Sequence, residues 1–182
     1  HLPVQSGSNN ILKAMRRRHT RDEYIETINK LKEIRPGISI SSDFIVGFPG
    51  ESEEDFQDTL DLTDEVEYDE SFSFIYSPRP NTTAKDLEDS VSPQEKKERL
   101  DRLQAKLEQS ALSISRRMVG RVSNSLVTGV SKKDPGEFQA RTENNKVVIF
   151  SCDDQSLIGN FVPVEIVEAK TKSLRGVYRP EC

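Results

Sequence analysis

The stretch Ser41-Ser42-Asp43-Phe44-Ile45-Val46-Gly47-Phe48-Pro49-Gly50-Glu51 decides the fold. Residues 38–46 are β-favouring and mostly apolar, the pattern of a strand buried on both faces in a parallel sheet. Gly47-Phe48-Pro49-Gly50 breaks that strand. Ser52 and Asp55 then open a helix with Phe56, Leu60 and Thr63 along one side. Strand, tight turn and helix in this order make a βα unit. Ligands of parallel α/β sheets sit at the carboxyl ends of the strands, where glycines admit a ligand to the backbone and a helix start offers free N–H groups. A tight turn that merely needs a positive φ would use the same residues, so the motif alone leaves both readings open.

Working outward, residues 1–8 (HLPVQSGS) repeat the form: a short apolar strand with polar groups at its end. Gln5 and Ser6 have the chemistry to hydrogen-bond a ribose or an amino-acid group, while Ser8-Asn9 also reads as a plain helix cap. Residues 10–18 and 20–34 read as helices. In the second, Tyr24, Ile25, Ile28, Leu31 and Ile34 form an apolar stripe, Thr20 with Glu23 forms a capping box, and Pro36-Gly37 ends it. Residues 72–76 read as a further buried strand ending in Ser77-Pro78-Arg79-Pro80-Asn81. Arg79 is either a guanidinium at a third strand end or a surface residue on a Pro-rich turn. Three polar strand ends on one face carry more weight than any one of them.

Ser92-Pro93-Gln94-Glu95 starts a long helix over about residues 93–115, with Leu100, Leu103, Leu107, Ala111 and Ile114 as its apolar stripe. Beyond it the pattern changes. Short β-type runs at 121–130, 146–150 and 161–169 are separated by Gly, Pro, Asn and Asp, as in a five-stranded barrel. The expected fold is therefore α/β plus all-β: a partial parallel βα barrel of the TIM type over 1–115, including the connecting helix, then a small β-barrel over 116–182. A TIM-type barrel takes about 250 residues, so 115 make only a part. The chain opens on His1 inside an apolar–polar pattern and reads as a piece of something longer.

The 182 residues carry a net charge of -5, unevenly spread. Residues 116–182 hold 11 basic and 8 acidic side chains, a net of +3, and residues 1–115 hold 15 and 23, a net of −8. That excludes a uniformly basic nucleic-acid binder and leaves room for a local one. Arg116, Arg117, Arg121, Lys132, Lys133 and Arg141 are the candidates for RNA phosphate contacts. Cys152 and Cys182 are too few for a disulfide framework or a CxxC metal site, so a cytoplasmic setting and no metal ligands are expected. No apolar run approaches the roughly 20 residues of a membrane span. Walker, GxGxxG, HExxH and GxSxG motifs are absent. His1 has no evident partner to fix it as a base, and His19, beside several arginines, reads as an exposed loop residue.

HLPVQSGS at 1–8, SSDFIVGFPGE at 41–51 and FSFIYSPRP at 72–80, in this order and spacing, resemble the radical-SAM methylthiotransferases. Ala140-Arg141-Thr142-Glu143-Asn144-Asn145, Val147-Val148-Ile149-Phe150, Leu157-Ile158-Gly159 and Leu174-Arg175-Gly176 resemble the TRAM domain, the RNA-binding barrel of that family. The resemblance implies an enzyme that methylthiolates C2 of N6-isopentenyladenosine next to the anticodon of tRNA, using S-adenosylmethionine and two 4Fe-4S clusters. It also implies that the cluster cysteines lie upstream of His1, in a missing N-terminal half, so that this portion alone is inactive. On this basis Gln5, Ser6, Ser42, Asp43, Gly47 and Pro49 become expected cofactor contacts and Arg79 a substrate-side or cofactor-side group. A ribosomal-protein aspartate methylthiotransferase and a stand-alone TRAM-type RNA-binding module are the alternatives. The chain departs from the family pattern at Asn81 and Ala140, where glycine is usual. Ala140 takes a positive φ only at a cost, so its turn is either regular or strained.

Overall fold

A computed structural model of the chain describes residues 1–78, 80 and 83–180. Arg79, Asn81 and Cys182 lie outside the described residues. The chain divides into two compact units, His1–Ala111 and Leu112–Cys182. The boundary expected after residue 115 falls inside the long helix that runs across this division.

The first unit is built from α1 (Asn9–Ala14), α2 (Arg21–Ile34), β1 (Ser41–Val46), α3 (Glu53–Val66), β2 (Glu70–Ile75) and the start of α4 (Pro93–Arg117). β1 pairs in parallel with β2, from Ser41 opposite Glu70 to Val46 opposite Ile75. On the other side of β1, Gln5 bridges Phe44 in parallel, and Leu2 N–H donates to the Ser41 carbonyl at 2.8 Å. The opening segment thus lies along β1 as a third strand.

Local signals set the helices. Thr20 and Ser52 form complete capping boxes with Glu23 and Asp55, and Ser92 and Glu95 exchange the same bonds at the start of α4. The expected helix 10–18 is shorter: α1 ends at Ala14, and Arg16 has a left-handed φ of 58° that stops propagation.

Burial alternates along β1. Ser42, Phe44 and Val46 face the helices, whereas Ser41, Asp43 and Ile45 face the other way and are half-buried. The helix side holds the core, with Tyr24, Ile28, Phe44, Phe56, Leu62, Tyr68 and Leu103 in one cluster. Phe44 meets the Tyr68 ring edge-on at 5.2 Å; the Tyr68 hydroxyl donates to Tyr24 at 3.2 Å, and Tyr24 donates to the Leu2 carbonyl at 2.8 Å. Burial raises the pKa of both phenols.

β2 corrects an expectation. It is open on the face away from the helices, with Phe72 51% and Phe74 54% exposed. An apolar sequence run shows that a strand can be buried, and the covering element decides whether it is. Among the described residues, only the helix side of this sheet is covered.

The second unit contains β3 (Val122–Val130), β4 (Glu137–Arg141), β5 (Val147–Ser151), β6 (Phe161–Ala169) and β7 (Leu174–Tyr178). They form a closed barrel in the order β3-β4-β5-β7-β6, with β6 returning to pair with β3. Closure removes the sheet edges. Val127, Phe138, Ala140, Val148, Phe150, Val162, Val164, Ile166 and Leu174 fill the interior. Register shifts near Gly129 and between Ile166 and Glu168 give the bends that closure needs. Ala140 is a regular strand residue in this core and fully buried. Of the two possibilities raised for its turn, the regular one holds. Gly176 is required for a different reason: a Cβ there would collide with Val164.

Candidate functional site

The carboxyl ends of the three parallel strands hold Gln5, the turn after Val46 and Tyr76. Gln5 has a φ of 76°, an uncommon value for a residue with a side chain, and it is buried. Backbone bonds on both sides hold it: its N–H donates to the Asp43 carbonyl at 3.0 Å, and its carbonyl accepts from Ile45 at 2.9 Å. Such over-determined strain clusters where a ligand or reaction needs a fixed geometry.

Asp43 lies on the open face, beside Ile45 and opposite Phe72. His1, expected to be unpartnered, reaches the same place. Its Nδ1 lies 3.0 Å from the Ser41 hydroxyl and its Nε2 is 3.5 Å from the Asp43 carboxylate. Asp43, Ile45, Phe72 and Phe74 together make a face with one carboxylate, an aliphatic side chain and two exposed rings. That combination can stack a planar group and hydrogen-bond its edge.

Ser6 and Ser42 are placed elsewhere. Both are fully buried. The Ser6 hydroxyl accepts from Ser8 N–H at 3.1 Å and lies 3.3 Å from Thr59 Oγ1, while Ser42 Oγ accepts from Val4 N–H at 3.0 Å. Inside the fold, Ser6 thus joins the first strand to α3, and Ser42 joins that strand to β1. His19 is also not the exposed loop residue expected: it is half-buried, with its ring centroid 6.2 Å from that of Tyr24.

The Gly47–Gly50 turn packs under α4. Gly47, Phe48 and Pro49 are buried. Gly47 has a φ of 67°, and a Cβ on it would collide with the Lys96 side chain. Its N–H donates to Glu51 Oε2 at 2.7 Å, and the same oxygen accepts from Arg99 at 2.9 Å. Glu51 Oε1 is buried without a hydrogen-bond partner among the described residues. Burial raises the Glu51 pKa, against the bonds from Gly47 and Arg99 that favour its charge. Tyr76 packs edge-on to Phe48 at 5.0 Å, and Lys96, paired with Asp89 at 2.5 Å, lies 5.9 Å from the Tyr76 ring centre.

A second polar node, which sequence reasoning saw only as a helix cap, is Asp55. Oδ1 accepts from the Ser8 hydroxyl at 2.5 Å and from Asn10 Nδ2 at 3.2 Å; Oδ2 accepts from Ser52 N–H at 3.0 Å and from the Ser52 hydroxyl at 2.8 Å. One carboxylate thus fastens the loop after the first strand to the start of α3. Burial pushes its pKa up, but the bonds from Ser8, Ser52 and Asn10 outweigh this and hold it below the ordinary value. The only sequence signal for the wider role was the capping motif itself.

In the second unit the six basic candidates separate. Arg116, Arg117 and Arg121 surround the start of β3, and Arg141 ends β4. Asn144 Nδ2 reaches Met118 Sδ at 3.5 Å, which puts the β4–β5 turn at that same end. Lys132 and Lys133 follow β3 and lie at the opposite end, roughly 25 Å along a strand of this length.

Among the described residues, no group of three or more His, Cys, Asp or Glu side chains is placed to hold a metal ion. Cys152 is a free, half-buried thiol. With one cysteine among them, the described residues do not supply the several thiolates that usually ligate a 4Fe-4S cluster. No helix among the described residues is long and apolar enough to cross a membrane.

Part of a parallel βα barrel followed by a long helix and a closed five-stranded barrel defines the class. Residues 1–63 match the Radical SAM superfamily and residues 116–178 match the TRAM domain. Two relatives, from Hahella chejuensis (strain KCTC 2396) and Pseudomonas syringae pv. syringae (strain B728a), are each 58% identical over 97% of this chain and 40% of their own length. A third, from Saccharophagus degradans (strain 2-40 / ATCC 43961 / DSM 17024), is 56% identical over 97% of this chain and 39% of its own. All three carry the name tRNA-2-methylthio-N(6)-dimethylallyladenosine synthase. The chain belongs to the radical-SAM methylthiotransferase family, and it spans about 40% of the length of these relatives.

Proposed function

We propose that this chain is the barrel-and-TRAM portion of an enzyme that places a methylthio group on C2 of N6-isopentenyladenosine beside the anticodon of tRNA. The observation that carries this reading is the 58% identity with synthases so named across 97% of the chain, both units included. In the whole protein the substrate adenine meets the open face of the sheet, where Phe72 and Phe74 offer rings to stack on it and Asp43 offers a hydrogen-bond acceptor. The TRAM unit holds the tRNA. The setting is the cytoplasm.

Gln5 stands at the carboxyl end of the first strand, a position that suits a nucleoside-type cofactor, and it would hold S-adenosylmethionine. When bound, that cofactor supplies the radical chemistry and the methyl group. This chain's own contribution is orientation. The strained Gln5 backbone fixes one strand end, and the Glu51–Arg99 pair fixes the next. The 4Fe-4S clusters are assigned to the part of the enzyme outside this chain.

Mass spectrometry of tRNA nucleosides from cells deleted for the gene tests the reading. Accumulation of N6-isopentenyladenosine in place of its 2-methylthio form supports it. Intact tRNA methylthiolation, with loss of the modification from a ribosomal-protein aspartate, would replace it with the alternative substrate. No change in either would leave only the RNA-binding module.

A further inference from the structure

The TRAM barrel is electrically polar along its axis, and the polarity comes from its topology. Follow the strands in spatial order, β3-β4-β5-β7-β6, at the end where β3 begins. Arg121 precedes β3, Arg141 ends β4, Lys146 precedes β5, Lys172 stands two residues before β7, and Lys170 follows β6. Every strand brings one cation to this rim. The register closes the ring: Arg141 is opposite Val147, Val148 is opposite Leu174, and Ala169 is opposite Leu174 on the far side of β7. Across the last gap Ile166 N–H donates to the Arg121 carbonyl at 2.9 Å, and the Ile166 carbonyl accepts from Gly120 N–H at 2.8 Å. Arg116 and Arg117, both exposed, adjoin this rim at the end of α4. Its acidic residues are Glu143 and Glu168, the latter 3.7 Å from Lys170. The opposite end carries Asp134, Glu137, Asp153 and Asp154 with Lys132, Lys133 and Arg179, which follows β7 and is ion-paired with Glu165 at 2.6 Å.

The basic rim also holds a rigid turn. Thr142 donates its hydroxyl proton to Asn144 Oδ1 at 2.6 Å and accepts from Lys146 N–H at 3.0 Å, and Arg141 Nη1 donates to the Asn145 carbonyl at 2.8 Å. The turn holds the Arg141 guanidinium and the Lys146 backbone in place, which lowers the ordering cost at binding.

We infer that RNA phosphates dock on this ring, Arg121, Arg141, Lys146, Lys172 and Lys170, and that the end carrying Lys132 and Lys133 faces away from the RNA. This rests on the reading of the TRAM unit as the RNA-holding part. Of the six residues nominated from the sequence, it sets Lys132 and Lys133 aside, keeps Arg121 and Arg141 in the ring with Arg116 and Arg117 beside it, and adds Lys146, Lys170 and Lys172. The signal was in the sequence, one cation beside each strand end, but only the strand order shows that these ends share a rim. A ring of like charges on a closed barrel suits a polyanion with regularly spaced phosphates, and binding to it releases counterions.

Fluorescence anisotropy of the full chain with a labelled RNA hairpin the size of a tRNA anticodon arm, between about 50 and 200 mM salt, tests this. Two double variants with the same change of charge are compared, R121E/K172E and K132E/K133E. All four positions are exposed, and circular dichroism verifies the fold. R121E/K172E is expected to weaken binding roughly tenfold or more and to lower the salt slope by about 2, with K132E/K133E within about twofold of the unsubstituted chain. Equal losses, or a larger loss from K132E/K133E, would overturn the ring assignment and leave RNA binding standing. No salt-dependent binding by the unsubstituted chain would overturn the RNA reading itself, and the ring with it.

Discussion

Nη1 of Arg99 donates to both the backbone carbonyl and the Oε2 carboxylate oxygen of Glu51, each at 2.9 Å. Both side chains are almost wholly buried. Arg99 also lies 5.7 Å from the Phe56 ring centre, so its guanidinium is packed as well as paired. Replacing it with Ala leaves a buried carboxylate uncompensated, and Arg99→Ala should destabilise the first unit by about 3–5 kcal/mol. Glu51→Gln keeps an acceptor for Gly47 and should cost only about 1–3 kcal/mol. Urea unfolding followed by far-ultraviolet circular dichroism reads both, and equal costs would refute the account of the pair.

The four bonds at Asp55 make a pH prediction. Its pKa is lowered in the folded state, so its contribution is fully present above the ordinary aspartate value of about 3.9 and is lost as pH falls through the lower folded value. Glu51 acts with the opposite sign. Its raised pKa favours the folded state below the ordinary glutamate value, and that gain is lost as pH rises through the raised one. Asp55→Asn should therefore flatten the acid limb of a stability–pH profile. Glu51→Gln should remove a decline on the rising side. Asp55→Ala should cost about 2–3 kcal/mol at neutral pH. An acid limb unchanged in Asp55→Asn would contradict the assignment.

Gly47 meets two demands at once: a positive φ and contact with the Lys96 side chain. Gly47→Ala should cost about 1–3 kcal/mol. Adding Lys96→Ala should recover only part of that, because the clash is relieved and the backbone strain stays. A double variant as stable as Lys96→Ala alone would show that φ carries no cost there.

Ala140 fills the barrel core as a regular strand residue. Restoring the glycine usual in the family should lower barrel stability by about 0.5–1 kcal/mol through backbone entropy, with a little more for the lost methyl group. A rise in the melting temperature of Ala140→Gly would mean that the strand is strained after all.

What could be read in the sequence was mostly short-range. The boxes Thr20–Glu23 and Ser52–Asp55 act across three residues, and the Pro36-Gly37 stop acts within the chain's own backbone. The turn residues between the barrel strands likewise marked the strand ends. What stayed hidden was long-range. Ser8 meets Asp55 across 47 positions and Arg99 meets Glu51 across 48, and no local pattern links such partners. Phe72 and Phe74 read as buried because the alternation of a strand does not say whether a covering layer exists. His1 and Asp43 approach each other only because two parallel strands lie side by side.

The central claim is that the open face of this sheet, away from the helices, is where the tRNA adenine is modified. The most direct measurement is the ratio of 2-methylthio-N6-isopentenyladenosine to N6-isopentenyladenosine in tRNA from deletion cells complemented with the full-length gene. Asp43→Ala, on the open face, should lower that ratio roughly tenfold or more relative to the unsubstituted gene. Ser73→Ala, on the helix side of β2 opposite Phe44, should restore it fully. Full restoration by Asp43→Ala, at equal protein levels, would contradict the claim.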